Sequence, residues 1–121
     1  MTEEPIVVDG HGGVAVIRVH GEHDVATAPA LRAVVQDAIA GATPVVVDLS
    51  GATFIDSSVL SVLLSGLRRS READRGYVLV LPAEDGAPVR RIFEVTGLIP
   101  VFAIRPSAAD AATAATAGTN T

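Results

Sequence analysis

The stretch that most constrains this chain is the apolar run Val45-Val46-Val47-Asp48-Leu49, followed a few residues later by Asp56-Ser57-Ser58 and Val59-Leu60-Ser61-Val62-Leu63-Leu64. A short run interrupted only by Asp48 fits a strand covered on both faces, as in a parallel sheet. After Ser57 the apolar period changes. Val59, Leu60, Leu63, Leu64 and Leu67 form a broad stripe on a helix predicted from Ser57 to about Glu72. The loop between them therefore delivers Asp56, Ser57 and Ser58 to a helix start. Backbone N–H groups there have no intrahelical acceptor, and the positive end of the helix dipole favours an added anion such as phosphate.

The remaining pattern alternates strands and helices. Ile6-Val7-Val8 and Val14–His20 are predicted strands, joined by the turn Asp9-Gly10-His11-Gly12-Gly13. Gly21-Glu22-His23-Asp24 breaks the pattern. Thr27 is placed to cap a helix that tolerates Pro29 in its first turn and ends at Gly41. Tyr77–Leu81 is a further buried strand, Pro88 opens a helix with Val89, Ile92 and Phe93 on one face, and Val101–Ile104 is a last short strand. Ser107 and Asp110 start a weak alanine-rich helix, after which the chain is expected to fray. The order implies one α/β domain: a mixed sheet of four to five strands with about four helices packed mainly on one face. Loops beyond the carboxyl ends of the strands are where partners meet such sheets. The Gly21–Asp24 and Asp56–Ser58 segments both follow strands, so they are expected on one edge.

Composition narrows the function. The 121 residues suffice for one domain with a core, and 49% are apolar. The formal net charge of −5 and the lack of any basic run beyond Arg68-Arg69-Ser70-Arg71 argue against nucleic-acid or anionic-membrane binding. No cysteine is present for disulfide or thiolate chemistry. Three histidines, His11, His20 and His23, do not have recognised metal-ligand spacing, so no metal or cofactor is expected. The start of the chain lacks a signal-peptide layout, and no apolar run approaches the roughly 20 residues that span a bilayer. A cytoplasmic monomer is the expectation.

Three motifs, Gly21-Glu22-His23-Asp24, Asp48-Leu49-Ser50 through Phe54-Ile55-Asp56-Ser57-Ser58, and Val95-Thr96-Gly97-Leu98, resemble the STAS domain of anti-sigma factor antagonists. The middle motif is the specific one, and the resemblance covers about residues 5 to 115. It implies a STAS domain over residues 5–116, with loose ends at 1–4 and 117–121. It further implies partner switching. The unphosphorylated antagonist binds an anti-sigma factor with serine kinase activity and frees the sigma factor. Phosphorylation of the serine after the aspartate, Ser57 here, ends binding, and a serine phosphatase restores it. Asp24 matches the family's loop acid for kinase recognition. The family usually continues Asp-Ser-Ser with Gly-Leu-Gly and has leucine between the loop Glu and Asp; this chain has Val59-Leu60-Ser61 and His23.

The partner-binding residues expected from this reading are Asp24, Thr27, Asp56, Ser57, Ser58, Val59 and Leu60. Blander roles compete with it: Ser57 and Ser58, or equally Asp56, as helix caps, Asp24 as a loop acid, Asp48 as an acceptor at a strand end, Leu60 as core. An enzyme reading would make Ser57 a nucleophile with a histidine base, but Asp-Ser-Ser-Val is not the Gly-x-Ser-x-Gly elbow and no glycine loop supplies an oxyanion hole. The alternative within the family is a non-switching scaffold subunit of a larger lipid-transport or stress-signalling assembly.

Overall fold

The computed structural model describes residues 4–121; residues 1–3 of the expected loose N-terminus lie outside the described residues, as does the side chain of His11. In chain order the elements are β1 (Ile6–His11), β2 (Val14–Val19), β3 (Gly21–His23), α1 (Ala28–Ala40), β4 (Val45–Asp48), β5 (Ala52–Ile55), α2 (Ser57–Glu72), β6 (Tyr77–Val80), α3 (Pro88–Val95), β7 (Ala103–Ile104) and α4 (Ala108–Thr116).

A five-stranded sheet runs in the order β1-β2-β4-β6-β7. β1 and β2 form an antiparallel hairpin with His11 opposite Val14, and the other pairings are parallel. Its turn is tighter than the sequence implied: Gly12 and Gly13, both with positive φ, make the two-residue connection that suits a twisted hairpin. The apolar β4 run is explained by two cores. Val45 and Val47 pack with Leu31 and Val35 of α1, Leu63 and Leu67 of α2, and Val89 and Phe93 of α3. Val46 points the other way, with Val14, Val78 and Val80, under Ala111 and Ala115 of α4. Three helices thus share one face and α4 closes the other.

The segment Gly21–Asp24, expected only to interrupt the pattern, contains β3, and the loop after β4 contains β5. The two pair in parallel as a separate two-stranded ribbon, with Glu22 opposite Phe54 and His23 opposite Ile55. Gly21, at φ +79, redirects the chain out of β2 into this ribbon. The last strand is shorter than expected, beginning at Ala103. The alanine-rich helix is firmly seated. Ser107 Oγ accepts the Asp110 N–H at 3.1 Å, and Ala111 and Ala115 are fully buried. Residues after it, read as a fraying tail, are hydrogen-bonded: Tyr77 N–H donates to the Thr119 carbonyl (2.9 Å), Arg71 Nε to the Asn120 carbonyl (3.1 Å), and Asn120 Nδ2 to the Arg75 carbonyl (3.0 Å).

Candidate functional site

β3 and β5 end side by side, so the parallel register that sets His23 beside Ile55 carries the chain onward to Asp24 and Asp56 at the same edge. The two segments that sequence reasoning placed together do converge. Asp56 is the N-cap of α2. Its Oδ1 accepts the N–H of Ser58 at 3.0 Å and of Val59 at 3.3 Å, and also the Ser58 hydroxyl at 2.5 Å. The Ser58 hydroxyl, and then the amides of Val59, Ser58 and Val25, hold this carboxyl below its ordinary range, against an opposing desolvation. The Val25 amide, in the turn after β3, faces this carboxylate, so the two segments adjoin at Asp56.

The adjacent serines are thereby made unlike. Ser58 is half-buried and spends its hydroxyl on Asp56. Ser57 is exposed, and its hydroxyl has no hydrogen-bond partner among the described residues; its carbonyl accepts the Ser61 hydroxyl one turn on. The cap at this helix is Asp56 rather than either serine. Two of the helix-terminal amides expected to welcome an added anion, those of Ser58 and Val59, are already engaged by the Asp56 carboxylate.

The Asp24 turn is built from within. Asp24 Oδ1 accepts the Ala26 N–H at 2.9 Å, and its carbonyl accepts the N–H groups of Thr27 (3.1 Å) and Ala28 (2.9 Å). Thr27 does not cap α1 as expected. Its φ of −100° and ψ of −15° already lie in the helical region, and its hydroxyl accepts the Asp24 N–H at 3.1 Å and meets His23 Nδ1 at 3.1 Å. His23 is 1% exposed, with Nε2 2.8 Å from the His20 carbonyl. The carbonyl accepts from Nε2–H, which leaves Nδ1 to accept the Thr27 hydroxyl. His23, one of the three histidines available as a base for Ser57, thus spends both ring nitrogens bracing the turn.

Two expected contact residues face inward. Val59 is 0% exposed and Leu60 5%, because both lie on the apolar stripe of α2 and fill the larger core. Exposed apolar area at this edge comes from residues the sequence reading missed, Val25 at 72% and Phe54 at 46%. In β5 only Ala52 and Ile55 turn inward, and Thr53 and Phe54 between them are exposed, so no regular alternation marked Phe54 in the sequence. Asp48 behaves as anticipated, its Oδ1 accepting the Ser50 N–H at 2.9 Å.

No helix among the described residues is long and apolar enough to cross a membrane. Residues 5–111 match the STAS domain family. The anti-sigma-F factor antagonist RsfB of Mycobacterium tuberculosis is 30% identical over 114 residues, covering 93% of this chain and 90% of that protein. An anti-sigma factor antagonist from Mycobacterium paratuberculosis superposes with a TM-score of 0.79 at 34% identity, covering 92% of each chain. SpoIIAA of Bacillus in its phosphorylated form shares the fold, with a TM-score of 0.67 at 22% identity over 89% of this chain and 96% of that one. A parallel sheet with an added ribbon, a hydroxyl exposed where the second helix begins, and these likenesses together make the chain a member of the STAS-domain family that includes the anti-sigma factor antagonists.

Proposed function

We propose that this protein is a cytoplasmic regulator that binds an anti-sigma factor with serine kinase activity while Ser57 is unmodified, and is released when Ser57 is phosphorylated. The observation that carries this reading is the division between the two serines: Ser57 presents a free, exposed hydroxyl while Asp56 retains Ser58. The likeness to RsfB and the existence of SpoIIAA in a phosphorylated form support it. In the transfer step, Ser57 Oγ bonds to the γ-phosphorus of ATP, the bond from that phosphorus to the β,γ-bridging oxygen breaks, and ADP leaves. Asp56 is ill-suited to take the hydroxyl proton, since its hydrogen bonds favour the ionised form. The kinase or solvent takes it. A serine phosphatase reverses the modification by hydrolysis, with water supplying the oxygen that leaves on inorganic phosphate.

The phosphate adds about −1.5 to −2 charges beside an ionised Asp56. The amides of Ser58 and Val59 are committed to that carboxylate and Ser57 is exposed, so the new charge stays solvated at the surface and leaves the fold in place. A partner covering the spot must desolvate it, at a cost of several kcal/mol when unpaired. At about 1.4 kcal/mol per tenfold, that lowers affinity by roughly a hundredfold or more. The test is incubation with anti-sigma kinases and ATP, followed by mass-spectrometric location of the phosphate. Label at Ser57, its loss in Ser57→Ala, and failure of Ser57→Asp to bind the kinase are expected. Unlabelled protein that co-purifies with a large assembly, or Ser57→Asp that binds as the unmodified chain does, overturns the reading.

A further inference from the structure

We infer that the outer edge of β1 pairs with β1 of a second copy of this chain, antiparallel across a two-fold axis centred on Val8, and so joins two sheets into one. None of these residues belongs to the Ser57 edge, and the pairing is independent of the proposed function. It replaces the monomer expected from the sequence with a reversible dimer.

The two edges of the main sheet are built differently. β7 is two residues long and lies between Pro100 and Pro106, which keeps a further strand from pairing along it. β1 is six residues long, and Ile6–His11 contains no Pro, Lys or Arg. Its one acid, Asp9, forms an ion pair with Arg18 of β2, so its charge is offset within the same chain. A long strand without such guards, unpaired on one side, is a template for another strand.

Register decides which backbone groups face out. Gly12 and Gly13 close the hairpin with His11 opposite Val14, and the His20 N–H donates to the Pro5 carbonyl at 2.8 Å. Bonded positions alternate along an antiparallel pair, so Val7, Asp9 and His11 bond to β2, while Ile6, Val8 and Gly10 turn their N–H and C=O groups outward. Outside the β1–β2 ladder, no backbone hydrogen bond among the described residues reaches these three. A second copy centred on Val8 sets Val8 opposite Val8, and Ile6 of each chain opposite Gly10 of the other. Every outward N–H and C=O is then paired, whereas a slip in either direction leaves some unmet.

Side chains fit the same register. Val8 is 51% exposed, and of the large exposed apolar side chains among the described residues it alone belongs to the main sheet. Pairing covers it with its own counterpart. A Cβ at Gly10 would meet nothing within 4 Å, and Gly10 lines an open cavity of about 520 Å³ with Val8, Ala15 and Thr43, which leaves room for Ile6 of the second copy. The contact is isologous, so it closes at two copies. Roughly six backbone bonds, at one per 100–200 Å², correspond to about 600–1,200 Å² of buried surface. That is the low end for a specific interface, and the dimer is therefore concentration-dependent.

The test is sedimentation velocity of the full chain over a concentration series, with Val8→Pro and Val8→Lys. Val8→Pro deletes an outward N–H that the single chain does not use, a place where edge strands tolerate proline. Val8→Lys keeps the N–H and sets like charges opposite each other, so it carries the test if the proline variant folds poorly. Each is expected to weaken association about tenfold or more, with the urea midpoint of the dilute protein unchanged. Amide hydrogen exchange gives a readout that a fold defect does not produce: protection at Ile6, Val8 and Gly10 rises with concentration, while Val7 and Asp9 are protected throughout. A chain that sediments as a monomer at every concentration overturns the inference. So does association that Val8→Lys leaves unchanged, or protection that rises with concentration on another element instead.

Discussion

Gly76 lies where α4 meets the sheet, and replacing it with alanine is the most demanding single-methyl test of this fold. A Cβ built there falls 2.0 Å from the Ala115 carbonyl oxygen and 2.6 Å from its carbon and Cα. These are backbone atoms, so no side-chain rotation relieves them. Ordinary contact begins near 3.4 Å, which requires the end of α4 to move outward by about 1.4 Å. That movement pulls at Ala111 and Ala115, both fully buried, and at the hydrogen bond from the Tyr77 N–H to the Thr119 carbonyl. Overpacking costs about 1–3 kcal/mol, and a backbone obstacle belongs at the upper end. The smaller unfolded-state entropy of alanine returns about 0.4–1 kcal/mol. The net loss is about 2 kcal/mol, or roughly 6–10 °C in Tm for a chain of this size. Urea unfolding followed by circular dichroism measures it. Gly10→Ala is the control, since a Cβ at Gly10 meets nothing within 4 Å and its φ is not in the left-handed region. If Gly76→Ala unfolds at the same urea concentration as Gly10→Ala, the close approach of α4 to the sheet is wrong.

Two further outcomes follow from buried and ionised groups. The Tyr77 hydroxyl is buried and donates to the Leu63 carbonyl at 3.0 Å, and burial pushes the phenol far above its ordinary range. Tyr77→Phe is expected to lose about 0.5–1.5 kcal/mol in urea unfolding, since the Leu63 carbonyl keeps its helical bond; no loss would show that the hydroxyl contributes nothing there. Asp56 has a folded-state pKa below its ordinary 3.8. Its contribution to stability is therefore present above that ordinary value and disappears as pH falls through the lower, folded one. The stability gap between the unmodified chain and Asp56→Asn should hold at neutral pH and close in strong acid. A gap that stays constant down to pH about 2 contradicts the capping geometry.

How much was legible depended on length and period. The long stripe of α2 and the two-sided apolar runs of β4 and β6 encode their own burial, and all three elements are where the sequence places them. The β3–β5 ribbon left no such trace. Strands of three and four residues with Gly21, Ala52 and Thr53 are too short to display alternation, and only parallel pairing between distant segments stabilises them. The alanine-rich α4 looked weak because alanine adds little apolar area. Its value is steric: small side chains let a helix backbone lie against the sheet, which a sequence pattern does not express. At the candidate site, the motifs placed Asp24, Asp56 and Ser57 at one edge, and the β3–β5 register brings their segments together there. Val59 and Leu60, expected at a contact surface, are buried, because nearness to Ser57 in sequence is not nearness to solvent on a helix whose first turn enters the core. Phe54 and Val25 were missed for the converse reason.

The arrangement around Asp56 has a consequence for how a surface modification can be separated from folding. Within four residues the chain passes from Asp56, which satisfies the amides of Ser58 and Val59, to an outward Ser57 and then to Val59, fully buried in the core. The helix start is thus complete without the Ser57 hydroxyl. Esterifying that hydroxyl removes no hydrogen bond from the described residues and displaces no core atom. On the proposed reading, this is why a phosphate can cost a covering partner several kcal/mol while costing the domain itself little. Had Ser57 been the cap, the same modification would have removed about 1 kcal/mol of helix stability as well, and binding and folding would be coupled. Ser57→Ala should accordingly unfold at the same urea concentration as the unmodified chain to within about 0.5 kcal/mol, the range for surface substitutions away from such features. A larger loss would place the serine, and not Asp56, at the structural start of α2.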